Sequence, residues 1–168
     1  VDTVDVKAAT QEGIICANVP DFCFDEVSDT AMSLILAVAR KVVLLSSAVK
    51  RGIWDRNLAK PIHKLRGQTL GLLSFGNIPR ALAPKAKAFG FQIIAYDPYL
   101  SQEVADPYEV RMVDLPTLLR ESDILSIHAP LTPETRGLIG EKKLRQMKSS
   151  AFLINTGRGP VVGGAALY

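Results

Sequence analysis

Apolar residues in this chain gather in short unbroken runs instead of alternating with polar ones. Residues 13–19, 69–74, 92–96 and 124–128 read as buried strands, and residues 151–155 as a fifth. Unbroken apolarity over about four to eight residues is the pattern of parallel strands covered on both faces. Between the runs, residues 26–50, 78–89, 115–121 and 141–147 carry helical spacing. Strand and helix in regular alternation predict an α/β fold: a doubly wound parallel sheet in three layers, α/β/α, with right-handed crossovers. In such a sheet a ligand sits at the carboxyl ends of the strands.

The segment from Glu26 to Lys50 leaves little polar face, because Met32, Leu34, Ile35, Leu36, Val38, Val42, Val43, Leu44 and Leu45 cover most of its turns. As one helix it must be buried on more than one side, either inside the core or at a subunit or interdomain interface. The pattern leaves both open. Glu26 and Asp29 suit the positive end of the helix dipole, and Arg51-Gly52 suits its close.

Composition narrows the class. The chain has 168 residues, of which 48% are apolar, and 20 Lys+Arg against 17 Asp+Glu give a net charge of +3. Disordered and fibrous classes are excluded, and the length predicts a single domain over residues 1–168. The charges are spread without a basic block, so nothing favours nucleic acid or an anionic membrane, while a small anionic ligand stays open. Cys16 and Cys23 form no metal or disulfide pattern, which fits a reducing, cytoplasmic setting. The most apolar stretch, residues 31–49, is broken by Arg40 and Lys41, so no membrane span is expected. A start at Val1 leads us to expect a chain cut from something longer, or processed.

The first candidate chemistry follows the run at 69–74. Ser74-Phe75-Gly76-Asn77-Ile78-Pro79 aligns with a dinucleotide loop, G-x-G-x-x-G, at Gly76 alone. Asp97 closes the next strand about 20 residues later, where a carboxylate accepts hydrogen bonds from an adenosine ribose and disfavours a 2′-phosphate. Taken alone, a turn glycine and an Asp-Pro loop start account for these residues equally well.

The wider pattern is more specific. Val1-Asp2-Thr3-Val4-Asp5, Asn18-Val19-Pro20, Glu26-Val27-Ser28-Asp29, Arg51-Gly52-Ile53-Trp54, the stretch 70–80, Tyr96-Asp97-Pro98-Tyr99, Ser122-Asp123, His128-Ala129-Pro130-Leu131-Thr132-Pro133-Glu134-Thr135 and the stretch 152–159 occur in that order. In these blocks the chain resembles the NAD-binding, Rossmann-type domain of the D-isomer-specific 2-hydroxyacid dehydrogenases nearly from end to end. The resemblance implies NAD as cofactor and hydride transfer between it and a small 2-hydroxy or 2-oxo acid. It also implies cofactor contacts at Ser74, Phe75, Gly76, Asn77, Ile78, Asp97, His128, Ala129, Pro130, Thr135, Thr156 and Gly157. Arg158 in Asn155-Thr156-Gly157-Arg158-Gly159 matches the substrate-binding arginine, whose fork suits a carboxylate and polarises the 2-oxo group.

The departures have physical content. Ser74 stands where the family has its first glycine and Pro79 where it has its third. A Cβ in a conformation that suits glycine costs about 1–3 kcal/mol, and proline removes an N–H that would face a pyrophosphate. Pro84 predicts either a kink or a helix that starts late. His128 invites the role of general acid–base, but it falls in the cofactor segment, and His63 precedes a strand. The family's catalytic Glu and His match nothing in these residues, Gly163-Gly164 replaces its usual Asp-Glu, and no substrate domain is expected within the 168 residues. The expectation is a NAD-binding domain that is catalytically incomplete as it stands, with a homodimer formed through helix 26–50. The alternative is a non-catalytic dinucleotide-sensing or dimerising module related to the C-terminal binding protein corepressors.

Overall fold

Five strands pair in parallel in the order β3-β2-β1-β4-β5 in a computed structural model that describes residues 4–167. They are β1 (Thr69–Leu73), β2 (Gln92–Tyr96), β3 (Arg111–Met112), β4 (Ile124–Ile127) and β5 (Phe152–Asn155). Val1, Asp2 and Thr3, which begin the first of the blocks that carry the resemblance, and Tyr168 lie outside the described residues. The chain runs outward from β1 to β3, then returns to β1's other side with β4, so the strand order reverses between β1 and β4. Ligands bind at such a reversal.

Side chains on successive strand positions point to opposite faces, and this sorts the core into two layers. Leu70, Leu72, Ile93 and Ala95 meet Ala31, Met32 and Ile35 of α2 (Phe24–Ala39) and Leu82, Ala83 and Ala86 of α4 (Asn77–Ala88). Leu73, Ile94, Leu125 and Ile127 face the other way, against Leu118 and Leu119 of α6 (Leu115–Glu121) and against Ile139, Val161 and Val162. The remaining helices are α1 (Val6–Gln11), α3 (Val42–Lys50), α5 (Gln102–Ala105) and α7 (Glu141–Leu144). Gly71 permits the approach of α6: a Cβ there would lie 2.0 Å from Ser122 Oγ. At the amino edge, Asp123 Oδ2 accepts from Thr69 N at 2.8 Å and Oδ1 from Lys148 Nζ at 2.7 Å, joining the starts of β1 and β4 to the turn before β5.

Three expectations fail. Residues 13–19 form no strand; they are exposed coil, with Ile15 93% accessible, because an apolar run becomes a strand only where a neighbour pairs its backbone. Helix 26–50 is two helices, α2 and α3, bent by 65° at Arg40 and Lys41, with Lys41 in the left-handed region (φ 57°) and its ammonium 5.1 Å from the centre of the Phe152 ring. The same break leaves no single described helix long and apolar enough to cross a membrane; α2 and α3 meet that length and composition only together. It also leaves Leu34, Val42, Val43, Leu44 and Val49 exposed, so the core of this chain covers only part of the segment's apolar surface. Finally, α4 starts at Asn77, one residue ahead of where the spacing put it, so Pro84 lies well inside the helix, on its exposed side, and of the two alternatives for Pro84 the late start does not occur. Pro79 falls in the first turn, where a backbone N–H has no intrahelical acceptor, and costs the helix no bond. The short β3 and α7's early end were not legible, and residues 164–167 form a 3-10 turn.

Candidate functional site

Register decides which residues meet. Leu73 pairs with Tyr96 and with Ile127, and Ile127 with Asn155, so the next residues, Ser74, Asp97, His128 and Thr156, leave the carboxyl edge side by side. The ladder runs one step further, with Ser74 N donating to Tyr96 O at 2.8 Å and His128 N to Leu73 O at 2.9 Å.

The turn after β1 needs a left-handed residue, and Ser74 supplies it with φ 77°. This is the position where glycine would carry no steric penalty. The Ser74 hydroxyl donates to Asp97 Oδ2 at 3.1 Å and Phe75 N–H to the same oxygen at 3.0 Å, while Tyr99 N–H donates to Oδ1 at 3.0 Å. The Phe75 side chain withdraws into the core, fully buried and edge-on to Tyr108 at 5.6 Å, so only its backbone belongs to the site. Arg80 Nε fixes the turn from the helix side by donating to Phe75 O at 3.0 Å.

Gly76 caps α4, and a Cβ on it would meet nothing within 4 Å. Open space above the turn, the N–H groups of Asn77 and Ile78 at the start of a 12-residue helix and the positive end of its dipole together fit a phosphate. Pro79 leaves this cradle one donor short. Beside it a cavity of about 320 Å³ is lined by Ser74, Asp97, Ala129, Pro130 and Thr135, together with Leu73, Tyr96, Pro98, Tyr99, Thr132, Glu134 and Leu138. These residues fit the adenosine end of a dinucleotide. All of the second group except Leu138 stand in the blocks that carry the resemblance, and Leu138, just beyond the 128–135 block, carries no such signal. That loop closes on itself: Thr135 Oγ1 donates to Pro130 O at 2.5 Å and accepts from Thr132 N at 2.8 Å. Hydrogen bonds from Thr132 and from its own backbone hold the Glu134 carboxyl below the ordinary range.

His128 stands between two strands' ends. Its Nε2 meets Ser126 Oγ at 2.9 Å and its Nδ1 meets Thr156 Oγ1 at 3.4 Å. Burial pushes its pKa down from 6.5 to about 4, so at neutral pH the ring is uncharged and a weak base. It joins β4 to the loop after β5 and does not line the cavity. His63 is placed at the opposite, amino edge of the sheet, where it lines hollows with Gln68 and Phe152.

After β5 the chain turns sharply. Gly157 N donates to Asn155 Oδ1 at 3.0 Å and Asn155 Nδ2 to Arg158 O at 3.1 Å, which presents the exposed Arg158 at the carboxyl edge. A Cβ on Gly157 would lie 3.1 Å from Ala129 O, so glycine there allows the two loops to touch. Ser74, Asp97, Ala129, Pro130 and Thr135 thus share one cavity, Gly76, Asn77 and Ile78 begin the helix next to it, and on the β4–β5 side His128 is hydrogen-bonded to Thr156, with Gly157 held by Asn155 in the turn that follows.

Comparison with known proteins places the chain in a family. The family described as D-isomer specific 2-hydroxyacid dehydrogenase, NAD binding domain, matches residues 32–168. The chain is 43% identical over 169 residues to a D-3-phosphoglycerate dehydrogenase of Methanocaldococcus jannaschii, covering 100% of this chain and 32% of that protein. It is likewise 43% identical over 172 residues to a glyoxylate reductase of Thermococcus litoralis, covering 99% and 52%. Among solved structures, a D-lactate dehydrogenase from Aquifex aeolicus complexed with NAD and lactic acid superposes with a TM-score of 0.90 at 30% identity, covering 100% of this chain and 50% of that one. The chain therefore spans about a third to a half of the length of the relatives it matches.

Proposed function

Because the chain belongs to the D-isomer-specific 2-hydroxyacid dehydrogenases, as their NAD-binding domain, we propose that residues 1–168 act as one cofactor-holding unit for hydride transfer to and from a small 2-hydroxy or 2-oxo acid. The observation that carries this reading is the meeting of Ser74, Gly76 and Asp97 at the reversal of strand order, beside a cavity that Asp97 lines. NAD, when bound, supplies the hydride acceptor. The N–H groups of Asn77 and Ile78 hold the pyrophosphate, and Asp97 accepts from the adenosine ribose. Ala129, Pro130 and Thr135 border the ribose largely through backbone groups. Thr156 and Gly157 lie along the nicotinamide side, with His128 keeping Thr156 in place. Arg158 takes the substrate carboxylate through its fork and polarises the 2-oxo group.

Neither histidine serves as the proton donor or acceptor: His128 is uncharged and committed to Ser126 and Thr156, and His63 faces the wrong edge. The 168 residues alone are expected to bind NADH and not to turn over. Calorimetric titration with NADH tests the first part; saturable binding in the micromolar range supports it, and no heat up to millimolar NADH in a folded sample refutes it. Oxidation of NADH with glyoxylate, pyruvate or hydroxypyruvate would overturn the second.

A second reading concerns assembly. Exposed Leu34, Val42, Val43, Leu44 and Val49 leave an apolar surface across α2 and α3, which favours a homodimer through this helix pair. The free thiols of Cys16 and Cys23 favour a reducing, cytoplasmic setting.

A further inference from the structure

Ser74 does more than fill the place of a glycine. An ionised carboxylate offers about four lone-pair positions. At Asp97 three are already taken by donors of the protein itself, the Ser74 hydroxyl and Phe75 N–H on Oδ2 and Tyr99 N–H on Oδ1. A ribose diol brings two hydroxyls. The carboxylate that should receive them has room for one, and the group that fills the deciding position is a side chain which a glycine at residue 74 would lack.

The position is also a strained one. Ser74 has φ 77°, a region that L-residues visit at a cost, and its hydroxyl bond to Asp97 offsets part of that cost. The same hydrogen bond therefore stabilises the turn without cofactor and is in conflict with ribose binding. Ser74 and Asp97 line the same cavity, so the contest takes place where the adenosine would sit.

We propose that Ser74 competes with the adenosine ribose for Asp97 and so tunes the affinity of the site for NADH. Binding of the diol requires the Ser74 hydroxyl to release Oδ2 and turn towards another acceptor. The consequence is a NADH affinity set lower than the cavity and helix start would otherwise allow. This inference rests on the cofactor reading above.

Ser74→Ala removes the hydroxyl and keeps the strained Cβ; Ser74→Gly removes both. One competing hydrogen bond to a charged group corresponds to about tenfold in affinity. Both variants are expected to bind NADH about tenfold more tightly than the wild-type chain by calorimetry. The gain should disappear for the NADH analogue that lacks the adenosine 2′-hydroxyl, a difference that a purely structural role of Ser74 would not produce. A double-mutant cycle of Ser74→Ala with Asp97→Asn, read by chemical denaturation without nucleotide, is expected to show that the two side chains are coupled.

Failure takes distinguishable forms. If the wild-type chain binds NADH and neither variant binds it more tightly, or if the gain persists with the deoxy analogue, competition by Ser74 is wrong while the cofactor reading stands. If neither the wild-type chain nor the variants bind NADH at millimolar concentration, both fall. Binding by the variants alone supports the proposal. Should Ser74→Ala not fold, Ser74→Gly carries the same comparison.

Discussion

The ring of His128 makes the stability of this domain depend on pH in a window where most carboxylates do not titrate. Burial holds the folded-state pKa at about 4, against 6.5 for an open histidine. The unfolded chain therefore takes up a proton as pH falls below 6.5, while the folded chain does not. Stability is complete above 6.5, declines as pH falls, and reaches its full loss near pH 4, where the folded ring is protonated too. At about 1.4 kcal/mol per pKa unit, the loss amounts to about 3 kcal/mol, a large part of the 5–15 kcal/mol or so that holds a typical domain together. The assay is denaturant unfolding at about pH 7.5, 6.5, 5.5 and 4.5 for the wild-type chain and for His128→Gln. His63 and the carboxylates are common to both proteins, so the difference between the two curves isolates His128. That difference should be flat above pH 6.5 and then shrink or change sign by about 1.4 kcal/mol per pH unit below it. With only two histidines in the chain, NMR titration assigns the ring by its absence from the variant. A titration midpoint near 6.5 for His128, or a stability difference that does not move with pH, would refute the burial argument.

Three other substitutions test the packing. Gly71→Ala places a methyl 2.0 Å from Ser122 Oγ, which is itself buried and bonded to Leu118 O at 2.6 Å, so α6 must shift; unfolding should show a loss of about 1–3 kcal/mol, and Ser122→Gly in the same chain should recover part of it. Asp123→Ala removes the acceptor of Thr69 N and the partner of Lys148 at the amino edge of the sheet; a loss of about 2 kcal/mol by chemical denaturation is expected, with amide exchange fastest at the start of β1. Val43→Glu adds a charge to a side chain that is 68% exposed in the described residues; it should leave the melting temperature of dilute protein unchanged and abolish concentration-dependent dimerisation in sedimentation, and an unchanged dimer would exclude this face as the interface.

Strands β1, β2, β4 and β5 were legible because each is an unbroken apolar run with a partner on each side or on one, and α6 because Asp114 caps it, accepting from Thr117 N at 2.8 Å, with Pro116 in its first turn. Residues 13–19 have the same apolar signature and no partner, and nothing local separates the two cases, since pairing is a property of the sheet. The division at Arg40 and Lys41 was readable as an interruption of apolarity but not as a bend, because Lys41 adopts a left-handed conformation that its side chain does not advertise. β3 is two residues long and carries no pattern at all.

The site divides along the same line. Asp97 and Gly76 were legible from their distance along the chain, which the fold converts into adjacency through the pairing of Leu73 with Tyr96. What spacing does not carry is the state of the groups once adjacent. From the sequence Ser74 is a departure that costs strain; in the structure that strained residue holds the very carboxylate proposed to receive the cofactor's ribose. His128 similarly passes from a titratable candidate to an uncharged strut, because Ser126 and Thr156 close around it and burial removes its charge. In both cases the residue type names the chemistry available, and the neighbours brought in by strand register decide which part of it remains for a ligand. A dinucleotide loop that departs from its family pattern should therefore be judged by which acceptors its substituted side chains occupy. Here that measure turns on one hydroxyl, at Ser74.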